Sequence, residues 1–167
     1  GAETHTDFFG LTQGTAKNSE DRADEIAVSY KLGAHKVAFD YANRKYTLTG
    51  STTTTQMKAY KQSAYMLSID SRWSDKFRTA AHYVKASAGS CELVSGAACS
   101  TVGYEGAKFT VCGAYYLDKC TYLFLIYNQV NNGSKAKYSN LSSSTTTLAA
   151  VTGQAVKTAV AGVNYSF

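Results

Sequence analysis

Basic side chains are the most prominent chemical feature of this 167-residue sequence. Lysine and arginine number 17 against 12 aspartates and glutamates, which gives a formal net charge of +5. A basic balance permits binding to nucleic acid, anionic lipid or small anions. The basic residues are scattered singly rather than run together, which argues against binding to a nucleic-acid backbone. We therefore expect no nucleic-acid partner.

Residues that carry catalytic or metal chemistry form no recognisable motif. The sequence has no G-x-S-x-G nucleophile elbow, no phosphate-binding loop and no H-E-x-x-H pair. The four cysteines include no C-x-x-C pair, and the three histidines are dispersed along the chain. We expect no enzymatic activity, no metal ion and no cofactor.

Two of the cysteines are placed to form a local disulfide. Cys91 and Cys99 fall eight positions apart in one long polar segment. A bond between them would staple a surface loop in an oxidising location. Cys112 and Cys120 flank a predicted hairpin turn, and the hairpin register would place Cys112 near Leu125 rather than near Cys120. The sequence assigns no role to this second pair.

The elements that must position these residues are β-strands. Helical periodicity is almost missing, whereas alternation of apolar and polar residues with a period of two recurs along the chain. The fold class is therefore all-β, with residues 1–23 predicted as a polar loop and the strands in residues 24–167. Seven strands of about ten residues are predicted, at roughly 26–32, 36–42, 64–73, 77–83, 108–117, 121–130 and 156–167.

The connections between these strands alternate in length. Tight turns at 33–35, 74–76 and 118–119 contrast with long polar segments at roughly 47–61, 87–105 and 131–155. Strands near ten residues, short turns on one side and long loops on the other are typical of outer-membrane barrels. A soluble β-sandwich is the alternative, since its strands also alternate. Aromatic residues near strand ends and charges in mid-strand favour the membrane barrel.

Two stretches resemble a known family. The run from Leu117 to Asn132, LDKCTYLFLIYNQVNN, and the final Val163-Asn164-Tyr165-Ser166-Phe167 are similar to the C-terminal end of Gram-negative general porins, especially the betaproteobacterial type. The stretch from Tyr30 to Val37 also resembles a porin strand, periplasmic turn and next strand. The resemblance covers residues 24–167.

This resemblance implies a transmembrane antiparallel barrel of 16 strands, assembled as a homotrimer in the bacterial outer membrane. Such porins pass ions and small hydrophilic solutes passively, and the terminal Phe167 would serve as the signal for barrel assembly. Family members are about twice this length, so the chain resembles the C-terminal half. Seven strands do not close a wide barrel. The family's constriction loop belongs to the other half, and Cys120 stands where a basic turn residue is expected.

The porin interpretation also assigns a pore wall. If Phe167 faces lipid together with Tyr165 and Val163, the other strands follow by their apolar faces. The side chains assigned to the pore are Lys31, Lys36, Asp40, Arg44, Asp70, Arg72, Arg78, His82 and Lys108. Fixed positive charges in a narrow channel concentrate anions, so we expect anion preference. An ion pair of Asp70 with Arg72 or Arg78 is the structural alternative for these charges.

Two other functions remain open on the sequence alone. An eight-stranded anchor or adhesin barrel, whose loops bind partners, would need a further strand within residues 1–23. A small outer-membrane barrel with an enzymatic loop would need a base such as His82, which is more simply explained as a pore-wall histidine. Outer-membrane lipid and lipopolysaccharide are the partners expected of any of these barrels.

Overall fold

The computed structural model describes residues 18–49, 54–139 and 151–166, which fold into an antiparallel sheet. The strands are β1 (Asn18–Leu32), β2 (His35–Thr49), β3 (Met57–Arg72), β4 (Phe77–Ala86), β5 (Ser90–Leu93), β6 (Ala98–Cys99), β7 (Gly106–Tyr116), β8 (Thr121–Asn132) and β9 (Val156–Tyr165). The prediction of an all-β fold is confirmed. None of the described residues belongs to a helix long and apolar enough to cross a membrane.

The long strands pair in the order in which they occur in the chain. The order across the sheet is β1-β2-β3-β4-β7-β8-β9, and every pair is antiparallel. The short hairpin of β5 and β6 lies off this path, because β5 pairs with β3 beyond the end of β4. Within the described part of the chain the sheet does not close, and β1 and β9 are its two edges.

Three tight turns lie at one end of the sheet, which we call the turn end. Gly33 adopts a φ of 60°, a left-handed conformation that glycine accepts without steric cost, and links β1 to β2. Between β3 and β4, Ser74 Oγ accepts hydrogen bonds from the backbone N–H groups of Lys76 and Phe77 at 3.2 and 3.1 Å. The opposite end of the sheet, the loop end, carries the longer connections.

The turn between β7 and β8 is organised by one carboxylate. Asp118 Oδ1 accepts hydrogen bonds from the backbone N–H groups of Cys120 at 2.7 Å and Thr121 at 2.8 Å. Both bonds favour the ionised form, the one from Cys120 most strongly, and they lower the pKa of Asp118. A short side chain that binds nearby backbone N–H groups explains why the chain reverses here.

Cross-strand register separates two faces of the sheet. On one, the apolar face, Ile26 lies opposite Tyr41 and Val28 opposite Phe39, and the series continues across the sheet to Leu125 and Val163. The other, the charged face, carries the alternate positions. Large apolar side chains of the apolar face are strongly exposed, including Ile26 at 67%, Leu125 at 60% and Val163 at 64%. The chain therefore presents a broad hydrophobic surface rather than a closed core.

Three details differ from the sequence-based expectations. Strands β1, β2 and β3 contain 15, 15 and 16 residues rather than about ten, because they extend past the apolar band at the loop end. Strand β1 begins at Asn18, inside the segment 1–23 expected to be a loop, since residues 18–25 pair with β2 although they lack apolar alternation. The segment 87–105, expected to be entirely loop, contains β5 and β6.

Candidate functional site

The side chains assigned to the pore wall all lie on the charged face. Register places Lys31 opposite Lys36, Lys36 opposite Asp70, and Arg72 opposite Arg78. The remaining members follow from the same alternation on β2, β4 and β7, namely Asp40, Arg44, His82 and Lys108. One continuous surface therefore collects nine polar side chains that are spread over 78 positions of sequence.

Four cations of this face gather at the turn end. Lys31, Lys36 and Arg72 occupy strand positions next to the tight turns, and Arg78 is the second residue of β4. Arg72 Nη2 pairs with Asp75 Oδ1 of the turn at 2.8 Å, rather than with Asp70, the partner that the sequence had offered as an alternative. The Arg78 guanidinium lies over the Tyr116 ring, 5.5 Å from its centroid. Both arginine side chains remain exposed while making these contacts.

Two carboxylates of the charged face were missed by the sequence reasoning. Asp21 lies opposite Tyr46 and Glu25 opposite Ala42, and both are exposed. Nearby, Lys58 Nζ forms a salt bridge with Glu92 Oε1 at 3.0 Å. With Asp21 and Glu25 included, the six cations of the face oppose four carboxylates. Both additions lie toward the loop end, so positive charge is concentrated at the turn end.

Aromatic side chains bracket the hydrophobic band on the apolar face. One row lies at the turn end and comprises Tyr30, Trp73, Phe77, Tyr115 and Tyr165. A second row crosses adjacent strands at positions that are either directly opposite or offset by two residues, and it comprises Tyr41, Tyr65, Tyr83, Phe109 and Tyr127, with the rings of Tyr65 and Tyr83 6.3 Å apart. Six positions separate Phe77 from Tyr83, which is about 20 Å of strand. Two such girdles around an apolar band are characteristic of barrels in lipid.

A row of lysines follows the second aromatic row toward the loop end. Lys45 lies opposite Lys61 on the apolar face, and Lys85 and Lys157 occupy the same face on β4 and β9. All four residues are exposed. The face therefore changes from apolar to aromatic to basic along the strand direction.

The central residues of β8 are apolar on both sides, and alternation alone does not orient them. In the structure, Leu125 lies opposite Ala161 on the apolar face, whereas Tyr122 and Phe124 lie on the charged face. There, Tyr122 is 5.1 Å from Tyr116 and 6.2 Å from Phe124, measured between ring centroids. We call Tyr116, Tyr122 and Phe124 the aromatic cluster.

At the loop end, the segment after β8 folds back across the charged face. Tyr138 accepts a hydrogen bond from Gln62 Nε2 at 2.7 Å and donates one to the Tyr104 carbonyl at 3.0 Å. Its backbone N–H also donates to Asn132 Oδ1 at 2.7 Å. The Tyr138 ring lies against Gly106, where a Cβ atom would come within 2.5 Å of the ring. Residues 133–139 thus cover part of the face from β8 to β3.

The cysteines divide into one bonded pair and two thiols. A disulfide joins Cys91 to Cys99, whose Cα atoms are 5.3 Å apart and face one another across β5 and β6. Cys112 lies opposite Ile126 and is half-buried, whereas Cys120 is exposed in the β7–β8 turn. The two thiols are therefore separated along the hairpin.

Comparison with known proteins identifies the architecture. No protein-family model matches the chain, and comparison with curated protein sequences finds no match. The chain is structurally similar to the anion-selective porin from Comamonas acidovorans, with a TM-score of 0.62 and 14% sequence identity. The sheet has a porin-like fold. The similarity covers 88% of this chain and 40% of the porin chain, so this chain spans less than half the length of that protein.

A porin-like fold accounts for the two-faced organisation of the sheet. In such a wall, alternate side chains of every strand meet lipid and lumen. Phe167, assigned as an assembly signal, lies outside the described residues. The segment of residues 133–139, which covers part of the charged face, was not expected from the sequence, because its polar and small residues carry no periodic signal.

Proposed function

We propose that this chain forms part of the wall of a water-filled channel in the bacterial outer membrane, through which ions and small hydrophilic solutes diffuse passively. One observation supports this proposal above the others. A single sheet carries an apolar band between two aromatic rows on one face and nine polar side chains on the other. A sheet with lipid on one side and water on the other satisfies both faces.

We also propose that the channel prefers anions. Lys31, Lys36, Arg72 and Arg78 form two facing pairs at the turn end, where the nearest carboxylates of the sheet and turn are Asp70 and Asp75. Charges that line a low-dielectric channel raise the local concentration of counter-ions. The excess of cations at one level of the wall is therefore the basis for the expected selectivity.

A closed barrel requires more strands than the described residues supply. Strands β1 and β9 are edges of the described sheet, and unpaired edges are not tolerated in lipid. We propose that these strands belong to the C-terminal part of a 16-stranded barrel that assembles as a homotrimer, and that Phe167 directs its assembly. Closure by strands outside the described residues would pair both edges.

The proposed membrane partners are outer-membrane lipid and lipopolysaccharide. The four exposed lysines beyond the second aromatic row would lie at headgroup level on the outer surface. Ammonium groups at that level attract the phosphates of an anionic lipid. In this proposal the loop end faces the outside of the cell and the turn end faces the periplasm.

Single-channel recording in a planar bilayer under a salt gradient tests the proposal. We expect conductance steps in groups of three and a reversal potential directed toward the anion equilibrium value. The absence of conductance steps from properly folded protein would contradict the proposal that it forms a channel. Conductance steps with a reversal potential directed toward the cation equilibrium value would contradict the proposed anion preference but not the proposed channel.

A further inference from the structure

The aromatic cluster and the adjacent arginine form a surface that a simple ion channel does not require. Tyr116, Tyr122 and Phe124 lie on the charged face, although the apolar face of the same strands already carries aromatic girdles. All three residues are half-buried, so part of each ring meets the space above the charged face. An aromatic ring exposed there is a contact for a flat apolar group.

Phe124 of the cluster packs against the strand backbone, and the other two rings lie beside it. The Phe124 ring lies across Gly162 of β9, where a Cβ atom would come within 2.6 Å of Cζ and 2.8 Å of Cε1. Tyr116 and Tyr122 lie opposite one another on β7 and β8, with ring planes inclined by 37°. Because glycine leaves room for the ring on one side and neighbouring rings limit it on the other, the platform is formed before any ligand binds.

Positive charge adjoins this platform. Arg78 on β4 lies over the Tyr116 ring and is followed across the sheet by Arg72 on β3. Phe124 lies two strand spacings from Arg78, on the same cross-strand line through Ala114, and this distance is about 10 Å because adjacent strands are about 4.8 Å apart. A carboxylate bound by a guanidinium and an aromatic ring stacked on the cluster fit within that distance.

We propose that Arg78 and the aromatic cluster form a binding subsite for aromatic carboxylates on the channel wall. This inference rests on the proposed function and specifies one class of solute. The arginine binds the carboxylate, as it would bind that of any organic acid. The rings select those acids whose apolar part is a flat π system.

Block of chloride current by two acids of equal charge and similar size tests the subsite. Benzoate carries a π face, whereas cyclohexanecarboxylate does not. In the wild-type channel we expect benzoate to reach half-block at a concentration about 3- to 10-fold lower, the range that an aromatic pair supplies. Equal potency of the two acids would overturn the proposal and leave chloride selectivity untouched.

Three variants locate the effect. Y122L/F124L should bring the ratio of the two half-blocking concentrations to about 1, whereas Y127L, an aromatic change on the apolar face of the same strand, should preserve it. R78Q should weaken block by both acids equally, because both carry the carboxylate that Arg78 binds. The ratio of the two half-blocking concentrations should therefore not change. A ratio that persists in Y122L/F124L would overturn the assignment. If that variant does not fold, G162A, which displaces the Phe124 ring and removes no aromatic residue, should lower the ratio.

A direct binding measurement separates this inference from the channel itself. Saturation-transfer NMR of benzoate with folded protein in micelles requires no conduction. Transfer to benzoate that is lost in Y122L/F124L supports the subsite even if bilayers show no steps. Absence of transfer in the wild-type protein would overturn the proposed subsite. Coverage of the rings by another segment would give this result.

Discussion

Charge reversal of Arg72 and Arg78 is the most direct perturbation of the proposed channel wall. The charged face carries six cations and four carboxylates, a net charge of +2 apart from the paired Lys58 and Glu92. The variant R72E/R78E changes this by four units, to −2. The change falls at the turn end, where the two arginines are opposite one another and the cations are concentrated.

The expected result is a shift of the reversal potential toward the cation value. For monovalent ions, a tenfold concentration ratio limits the potential to about 59 mV at perfect selectivity. We expect the double reversal to move it by about 20–40 mV, with a smaller shift at 1 M than at 0.1 M salt because the screening length falls from about 10 to 3 Å. Loss of the Arg78–Tyr116 contact costs about 0.5–1 kcal/mol, which should leave the protein folded.

A matched control changes the same number of charges on the other face. Lys45 and Lys61 lie opposite one another on β2 and β3 and are exposed at the loop end of the apolar face. The variant K45E/K61E should leave the reversal potential unchanged in a neutral lipid bilayer. An unchanged potential in folded R72E/R78E, or equal shifts in both variants, would refute the assignment of the charged face to the lumen.

Three further predictions concern individual contacts. Thiol labelling without reductant should modify Cys112 and Cys120 only, Cys120 faster, as read by mass spectrometry of peptides; a labelled Cys91 would contradict the disulfide. Because the pKa of Asp118 is lowered on folding, its contribution to stability is present above about pH 4 and is lost as pH falls through the folded pKa. In denaturant titrations, the wild-type protein should therefore lose more stability than D118N between pH 7 and pH 3. Y138F should reduce protection of residues 133–139 in hydrogen exchange by about 1–2 kcal/mol, since it removes both the bond to the Tyr104 carbonyl and the bond from Gln62 Nε2; unchanged protection would exclude a stabilising role.

Most of the sheet could be predicted because its alternation is visible wherever one face is apolar. The tight turns were also identifiable, since Gly33, Ser74 and Asp118 each have a local physical reason to reverse the chain. The outer half of β1 could not be predicted. Residues 18–25 are polar on both faces, and only their pairing with β2 defines the strand. Asp21 and Glu25 were missed for the same reason.

The orientation of β8 illustrates a different limit. Residues 122–127 are apolar without interruption, so both phases are equally consistent with the sequence. Register with β7 and β9 resolves this by placing Leu125 opposite Ala161. The ion pair of Arg72 was likewise not deducible from strand alternation, since its partner Asp75 lies in the turn. Pairwise geometry beyond the strand period determines both features.

The strand order of this sheet also has a consequence for how the protein folds. Apart from the inserted β5–β6 hairpin, each strand pairs with the next long strand in the chain, so its native pairings consist of consecutive hairpins. Hairpins with short turns have a low entropic cost of closure, and each completed hairpin exposes an edge on which the next can form. We expect such a meander to fold by addition of whole hairpins. The same modularity allows a wall of this kind to gain or lose a hairpin during evolution while every remaining strand keeps its register.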